Sequence, residues 1–401
     1  MLDVPKKTDV AGKVPFDAAR LDRLMEEAGL DVLIATSKHN VHYLLGGHRA
    51  FFFEYMDAMG ITRYLPVFVY PKGAPEKAAY FGHRLESFQR ENKPFWVTES
   101  QTKSSGTLDA MRLAVDHIRK LGTKPHRIGV EMGFLPMDAG NALRAAFPDA
   151  EIVEALVVLE RLRARKSAHE LELLRVASER VIDSMLAVIA NHGPGTTKNE
   201  LVEALRREET NRGLTFEYCL ITAGASHNRA PSDQKWEKGE ILSLDSGGNY
   251  HGYIGDLCRM AVHGEPDAEL EELLGEVEAI QQVAFKKVKA GSMGGDIYVA
   301  AEDALKRSKH HNHMHFIAHG MGLISHEAPR LSARGPVPYD APDATRPLET
   351  GMVVSVETTL QHPQRGFIKL EDTVAVTDAG YDMYGERGRG WNRGGTAVAS
   401  R

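Results

Sequence analysis

Residues 241–260 read ILSLDSGGNYHGYIGDLCRM. Two apolar runs flank a turn rich in glycine and aromatic residues, which is typical of a β-hairpin. Each run carries one aspartate, and Asp245 and Asp256 are eleven positions apart. We expect the hairpin to bring the two carboxylates together, where they can share one cation.

Two further predicted strands also carry acidic side chains. The segment MVVSVETT contains Glu357, and the segment FIKLEDTVAVT contains Glu371. A carboxylate inside a strand is costly to bury unless a cation, a hydrogen-bond network or a metal ion neutralises it. One such residue alone would be interpreted as an edge carboxylate, but three of these strands together favour a metal site.

His319 adds a different kind of ligand. It lies in IAHGMGLISHEAP, where neighbouring glycines allow close backbone approach and a neutral imidazole can bind a borderline metal ion. Four carboxylates and one imidazole form an oxygen-rich ligand set that suits Mn²⁺, Co²⁺, Zn²⁺ or Fe²⁺. The excess of negative charge favours two ions over one.

Length and composition exclude several classes of protein. The 401 residues predict two domains. The chain has 49 basic and 55 acidic residues, so its net charge is −6 and no excess of basic residues predicts binding of nucleic acid. We therefore expect a small peptide or small molecule as substrate. No segment approaches the ~20 apolar residues of a membrane span, and neither a signal peptide nor an anchor is expected. The two cysteines, Cys219 and Cys258, are consistent with a reducing compartment, so we expect the cytoplasm.

The first half of the chain repeats strand and helix, which predicts an α/β domain. A first helix is expected to end at Gly29. The predicted strands are DVLIAT (31–36), YLPVFVY (64–70), KAAYFG (77–82) and RIGVEM (127–132), and a second helix is predicted in LDAMRLAVDHIRKLG (108–122).

Predicted helices dominate the next part of the chain. Residues 151–193 carry apolar residues at helical spacing. A capping box at Ser167 and Glu170 lies inside this segment, so a linker helix and the first helix of the second domain are expected to meet near Lys166.

Three more segments complete the predicted second domain. Thr197 and Glu200 form another capping box, and residues 267–291 are predicted as a long amphipathic helix closed by Gly291. Residues 387–401 are rich in glycine and arginine without periodicity, which predicts a loosely held tail.

The order of the candidate ligands resembles that of the pita-bread metallopeptidase family. The matching pattern is Asp245, then Asp256, His319 in HGMG, Glu357 in SVE and Glu371 in LED. This family includes Xaa-Pro dipeptidase (prolidase), aminopeptidase P, methionine aminopeptidase and the metal-free creatinases. An intact ligand set argues against the metal-free mechanism.

The resemblance covers nearly the whole chain. Residues 16–150, including NVHYLLGG at 40–47, resemble the creatinase-type N-terminal domain. The resemblance implies an α/β creatinase-type N-terminal domain over residues 1–155 and an α+β pita-bread catalytic domain over residues 156–401.

The resemblance also implies a role for each ligand. Together the five residues would hold two divalent ions, Mn²⁺ first and Co²⁺, Zn²⁺ or Fe²⁺ after it, with Asp256 and Glu371 bridging them. Glu357 would also act as general base, taking a proton from the attacking water and returning it to the leaving nitrogen. Such a site would hydrolyse the amide bond of Xaa-Pro dipeptides or longer Xaa-Pro peptides.

Three further residues match substrate positions of the family. His227 in GASHNRAPSD and His326 in LISHEAP would hydrogen-bond the substrate carbonyl and the tetrahedral intermediate. By spacing alone they would be interpreted as a loop histidine and a strand histidine. Lys369 stands where prolidase-like members have arginine, two residues before the last ligand, and is expected to bind substrate.

Two departures from the family keep a second function open. Peptidase members usually follow the fourth ligand with Pro and Gly, whereas Thr358 and Thr359 follow it here, and Lys369 lacks the planar fork of arginine. These changes allow a C–N hydrolase of the same fold that acts on a small amide, amidine or guanidino compound, like an ectoine hydrolase or a creatinase.

The sequence disfavours two more functions of this fold. The dimethylsulfoniopropionate lyases have DxD at the first ligand, but here Asp245 is followed by Ser246 and Gly247. A catalytically silent scaffold would be expected to have lost ligands or the outer histidines, and neither loss is seen.

A histidine-rich tract, KHHNHMHF, precedes the HGMG motif and contains His310, His311, His313 and His315. Composition alone would indicate a metal-binding tract. The family has loop and strand at this position, so we interpret the tract as a part of the chain without ligands.

The resemblance finally implies a homodimer in which the N-terminal domain of one chain lines the partner's site. The aromatic run Phe51, Phe52, Phe53 and Tyr55 supports this expectation. Exposed aromatic side chains would be costly in a monomer, whereas a core strand is the competing interpretation.

Overall fold

A computed structural model of the chain describes residues 13–50, 58–92, 95–122, 124–334 and 340–397. The chain forms two compact units, Met1–Leu162 and Arg163–Arg401. The aromatic run at residues 51–55, on which the predicted homodimer depends, lies outside the described residues. Within the described residues, none of the helices is long and apolar enough to cross a membrane.

The first unit is built on a six-stranded sheet with the order β6-β5-β4-β1-β7-β8. Strand β1 pairs in parallel with β7 and antiparallel with β4, so the sheet is mixed. The short strands β2 and β3 pair only with each other. The strands are β1 (Val32–Ala35), β2 (Ala58–Met59), β3 (Thr62–Arg63), β4 (Val67–Pro71), β5 (Ala79–His83), β6 (Glu99–Ser104), β7 (Arg127–Val130) and β8 (Glu151–Glu154).

Helices cover both faces of this sheet. Side chains alternate along β1, so Leu33 packs in the cluster that contains Leu21 of the first helix, while Ile34 packs with Met111 of a later helix. This arrangement is the predicted α/β domain. The helices are α1 (Ala18–Glu27), α2 (Lys38–Leu44), α3 (Ser87–Asn92), α4 (Thr107–Lys120), α5 (Met137–Ala146) and α6 (Leu156–Ala164), with 3₁₀ turns at Pro75–Lys77 and Arg84–Glu86.

The second unit is built on a run of antiparallel strands with the order β10-β12-β13-β17-β16-β14-β15, to which β18 and β19 add at β17 and β13. A separate pair joins β9 to β11. The strands are β9 (Thr196–Thr197), β10 (Thr215–Ala223), β11 (Lys235–Trp236), β12 (Ile241–Tyr250), β13 (Tyr253–Val262), β14 (Met314–Met321), β15 (Ser325–Glu327), β16 (Val353–His362), β17 (Gly366–Val376), β18 (Tyr381–Tyr384) and β19 (Asn392–Arg393).

Long helices pack against one face of this sheet. Leu273 and Val277 of α9 share a buried cluster with Val356 and Leu370 of the sheet. Another helix, α7, comes so close to β13 that a Cβ at Gly255 would lie 2.6 Å from the backbone nitrogen of Ser178. The helices are α7 (Ala168–Asn191), α8 (Lys198–Asn211), α9 (Ala268–Phe285) and α10 (Asp296–Leu305), with a 3₁₀ turn at His311–His313.

Both predicted capping boxes are present. The Ser167 hydroxyl accepts from the backbone of Glu170 at the start of α7, and Glu170 accepts from the backbone of Ser167. Thr197 and Glu200 make the same pair of contacts at the start of α8. These local signals are readable because both partners lie within one helical turn.

Three sequence expectations are corrected. Residues Glu151–Glu154 form strand β8 rather than helix, because the segment pairs in parallel register with β7. Helix α9 ends at Phe285, and Gly291 with its φ of +86° closes a later turn. Within the predicted loose tail, Trp391 is buried and its indole nitrogen donates to the carbonyl of Leu270, so this segment is firmly held up to Ala397, the last described residue.

Candidate metal centre

The hairpin of β12 and β13 places the two aspartates on one face of the sheet. Its turn is formed by His251 and Gly252, both with positive φ as a tight two-residue turn requires. Asp245 lies opposite Cys258, and Asp256 lies two residues before that cysteine on the same strand. The two carboxylates are therefore diagonal neighbours on the same face, as predicted.

The other three predicted ligands join this face through the remaining strands. Glu371 on β17 lies opposite Cys258 on one side and opposite Glu357 of β16 on the other. His319 of β14 lies opposite Ser355, two residues before Glu357, and thus belongs to the same face. The face opposite to the helices thereby collects every candidate ligand.

Three ligands converge most closely. One ligand atom each of Asp256, His319 and Glu371 lies within 4.8 Å of the other two, and all three residues are buried. The Nε2 atom of His319 is 3.6 Å from Oε1 of Glu371 and 3.6 Å from Oε1 of Glu357, which is too long for hydrogen bonds. We call Asp256, His319 and Glu371 the ligand trio.

Three buried atoms of the ligand trio have no hydrogen-bond partner. Oε2 of Glu371 is one of them, although it forms an ion pair with Lys369, and the other two are Oδ1 of Asp256 and Nε2 of His319. An unsatisfied buried polar atom costs about 1–3 kcal/mol, so such atoms need a reason. A divalent ion among them would satisfy the atoms of Asp256 and His319, and an imidazole with carboxylates is a donor set that suits Mn²⁺, Co²⁺, Zn²⁺ or Fe²⁺. The residues present therefore fit a metal ion.

Hydroxyl groups and one carbonyl orient the trio. Ser325 donates to Oδ2 of Asp256 at 2.8 Å, and Ser355 donates to Oε1 of Glu371 at 2.7 Å. Nδ1 of His319 donates to the carbonyl of Gly320 at 3.3 Å, which leaves the lone pair on Nε2 for an ion. Sequence reasoning misses the two serines because only the strand register brings them to the ligands.

Lys369 lies inside the acidic cluster. Its Nζ atom is 2.7 Å from Oδ2 of Asp245, 2.5 Å from Oε2 of Glu357 and 2.8 Å from Oε2 of Glu371. Only 4% of the side chain is exposed. The position follows from the strand, since Lys369 is two residues before Glu371 and shares its face. The expected contact of Lys369 with substrate stays a prediction.

Arg229 is a second cation, which sequence reasoning misses. Its guanidinium pairs with Oδ2 of Asp245 and lies over the ring of Phe367, 5.0 Å from the centroid. About a third of the side chain is exposed. A signal exists, because Arg229 stands two residues after His227 in the motif HNRAP. Asp245 is thus held by two protein cations.

Burial and mutual repulsion shift the pKa values of the acidic side chains in the cluster. Burial, together with the charges of Glu371 and Asp245, raises the pKa of Asp256 to about 8. Burial also raises the pKa of Glu357. For Glu371, burial is outweighed by Lys369 and His319, which hold its pKa well below the usual range. The protein groups around Asp256 therefore do not offset the cost of burying its charge.

The same carboxylates raise the pKa values of the basic side chains among them. Burial alone would lower the pKa of Lys369, but Asp245 and Glu357 hold it well above its usual value. Burial would likewise lower the pKa of His319, and the nearby Glu371 and Glu357 raise it. Lys369 is therefore a firmly charged ammonium.

His326 stacks on a ligand of the trio. Its ring is 3.7 Å from the ring of His319, nearly parallel, and its backbone has a φ of +64°. Burial and the charge of His319 lower the pKa of His326 to about 4. An imidazole in this state is neutral at pH 7.

His227 occupies a more open position. It is exposed in the segment that follows β10, and its Nε2 donates to the carbonyl of His362 at 3.3 Å. The tract residues His311, His313 and His315 are also exposed, at the 3₁₀ turn and the start of β14. Within the part of the chain that the structure describes, the ligand trio is the group whose side chains converge on one ion position.

Two family models match the two halves of the chain. The model of metallopeptidase family M24 matches residues 172–378, and the model of the creatinase/prolidase N-terminal domain matches residues 18–165. The uncharacterized peptidase YqhT of Bacillus subtilis is 25% identical over 369 residues, which are 90% of this chain and 95% of that protein. The Xaa-Pro dipeptidase of Pyrococcus furiosus is 28% identical over 230 residues, which are 56% of this chain and 63% of that protein.

A solved structure shares the fold. The Xaa-Pro dipeptidase from Bacillus anthracis superimposes with a TM-score of 0.75 at 23% identity, over 92% of this chain and 96% of that one. The predicted fold, a creatinase-type N-terminal domain followed by a pita-bread domain, is confirmed. Because the M24 match covers more than half of the 401 residues, the chain belongs to metallopeptidase family M24.

Proposed function

We propose that this protein is a divalent-cation-dependent peptidase that hydrolyses the amide bond of Xaa-Pro dipeptides. The observation that carries the proposal is the ligand trio, in which buried atoms of Asp256 and His319 have no hydrogen-bond partner. The names of two similar proteins, the Xaa-Pro dipeptidases of Pyrococcus furiosus and Bacillus anthracis, support the substrate class.

A bound divalent ion would polarise the scissile carbonyl and lower the pKa of water. Glu357 is the residue that would take the proton from the attacking water. It has the most exposed side chain among the ion-paired acidic residues of the cluster, at 10% against 3% for Asp245 and 1% for Glu371, so it can reach both the cluster and the substrate. As the second half of the same role, Glu357 would return the proton to the leaving nitrogen.

The two outer histidines would handle the substrate oxygen. His326 is held against His319 by stacking, and as a neutral imidazole it can donate one hydrogen bond to a developing oxyanion. His227 is exposed, so its side chain would be accessible to a bound peptide. We propose that both histidines position the carbonyl oxygen, while Glu357 transfers the proton.

A second candidate is a C–N hydrolase for a small amide, amidine or guanidino compound. Strand β16 continues without interruption through Thr358 and Thr359, which pair with Leu370 and Lys369. A proline at this place would remove a ladder hydrogen bond. The wall next to Glu357 is therefore regular sheet here, which favours a smaller or differently shaped substrate than in peptidases with Pro and Gly.

One assay separates the two candidates. The full chain is freed of metal, reloaded with Mn²⁺, Co²⁺ or Zn²⁺, and offered Xaa-Pro dipeptides, longer Xaa-Pro peptides, creatine and ectoine. We expect cleavage of the dipeptides with kcat/KM of at least ~10⁴ M⁻¹s⁻¹. Turnover of creatine or ectoine with silence on every proline peptide would refute the peptidase and establish the second candidate. Undiminished cleavage of proline peptides after chelation would refute the metal-dependent peptidase.

Two further proposals concern assembly and location. We propose that the protein is a homodimer. We also propose that it resides in a reducing compartment, because both cysteines are buried and unpaired. Sedimentation of the full chain tests the first part.

A further inference from the structure

The acidic cluster contains two positions that suit a cation. A protein cation occupies the first, and no protein cation occupies the second. At the first, the ammonium of Lys369 has three carboxylate oxygens within 2.8 Å, from Asp245, Glu357 and Glu371. At the second, one ligand atom each of Asp256, His319 and Glu371 lies within 4.8 Å of the other two, and Oδ1 of Asp256 and Nε2 of His319 have no hydrogen-bond partner. The two positions share Glu371, which contributes Oε2 to the ammonium and lies 3.6 Å from His319 through Oε1.

The ammonium matches its position chemically. A lysine ammonium has three N–H donors and no acceptor, and it is a compact point charge that can replace a small ion. The hydrogen bond to Oδ2 of Asp245, at 2.7 Å, is reinforced by Arg229 on the same carboxylate. Asp245 therefore has two cationic partners within the protein.

A count of the charges in the cluster supports the same distinction between the two cation positions. The acidic residues Asp245, Asp256, Glu357 and Glu371 contribute four negative charges, and Lys369 and Arg229 contribute two positive ones. The remainder, −4 + 2 = −2, equals the charge of one divalent ion. A second divalent ion would leave a net charge of +2 in a region where Lys369 and all four carboxylates are buried, which is strongly unfavourable.

We propose that this protein binds a single divalent ion per chain, at the ligand trio of Asp256, His319 and Glu371, and that the Lys369 ammonium occupies the place of a second ion. The chain would then be a one-metal member of a family in which two ions are the implied pattern. This inference shares with the proposed function only the requirement that the trio binds an ion.

The test counts ions rather than turnover. The full chain is dialysed free of metal, saturated with Mn²⁺, and the bound ions are counted by mass spectrometry of the metal and by titration calorimetry. We expect one ion per chain in the wild type and two in Lys369→Met, which keeps the volume but removes the charge and the donors. Electron paramagnetic resonance distinguishes the two states, because a pair of neighbouring Mn²⁺ ions is spin-coupled and a single ion is not.

One further variant serves as a control. Lys198→Met removes another buried lysine of the same unit, whose amine donates to the carbonyl of Asn228 at 2.7 Å, and is expected to leave the count at one. A gain of an ion in Lys198→Met would mean that loss of any buried lysine loosens the unit, and would overturn the assignment to Lys369.

Two more outcomes also decide the matter. Two tightly bound, spin-coupled ions in the wild type would overturn the proposal without any variant, so it does not depend on whether Lys369→Met folds. One ion in both the wild type and a folded Lys369→Met would also overturn it. The substrate panel is independent: a two-ion wild type that cleaves Xaa-Pro dipeptides would refute the inference and keep the proposed function.

Discussion

Glu209→Gln should change how the stability of the protein depends on pH. Glu209 lies on α8 and is fully buried. Its Oε1 accepts from the hydroxyl of Ser246, the neighbour of Asp245 on β12, and its Oε2 has no hydrogen-bond partner. Glutamine has the shape of a protonated glutamic acid and keeps the acceptor for Ser246, so it imitates the neutral form at every pH.

The size of the effect follows from the pKa. Burial raises the pKa of Glu209 from 4.5 to about 8 in the folded protein. Between these values the folded state binds more protons than the unfolded state, so stability falls as pH rises. At about 1.4 kcal/mol per pKa unit, the wild type loses roughly 3–4 kcal/mol from this group between pH 5 and pH 8. The glutamine variant does not lose this part.

Thermal unfolding at several pH values measures the difference. For a unit of this size, 1 kcal/mol shifts Tm by about 2–4 °C, so Tm of the variant relative to the wild type should rise by about 10 °C from pH 5 to pH 8. Glu203→Gln on the same helix, an exposed partner of Arg206, is the control for loss of one carboxylate. If the Tm difference between Glu209→Gln and the wild type is the same at pH 5 and pH 8, the reasoning about this buried carboxyl is wrong.

Three other predictions concern the site and the assembly. Asp256→Ala or Glu371→Ala should bind no ion tightly, because each variant removes a member of the ligand trio; an unchanged metal count in either would remove that residue from the ligands. Glu357→Gln should keep the fold and lower the rate of peptide hydrolysis by ~10² or more, since shape is retained and basicity is lost; an unimpaired rate would exclude Glu357 as the base. The full chain should sediment as a dimer at micromolar concentration, and a clean monomer would contradict the proposed homodimer.

Local signals predict local structure well. The spacing of Asp245 and Asp256 around a short turn is enough to predict their hairpin, because the two-residue turn fixes the register of both strands. The capping boxes are readable for the same reason. By contrast, the pairing of Glu371 with Glu357 joins two strands whose ligand roles are expected only from the family resemblance.

What the sequence cannot predict depends on long-range register. The apolar spacing of strand β8 favours helix because it does not reveal that β7 offers the segment a parallel partner. The composition of the tail indicates a loose segment, although Arg389 pairs with Asp372 and Trp391 packs in the core. For Lys369, a two-residue offset from Glu371 predicts the face of the strand but not which acidic neighbours surround the ammonium.

The two departures from the family pattern, at Thr358–Thr359 and at Lys369, lie side by side on paired strands. Lys369 on β17 lies directly opposite Thr359 on β16, and Leu370 lies opposite Thr358. Directly opposed residues pack against each other, so a change on one strand alters the space available on the other. A guanidinium needs room for a planar fork, whereas an ammonium needs only a small position among oxygens. Since Thr358–Thr359 and Lys369 lie on one pair of strands, we expect a change at either position to alter the same wall of the site.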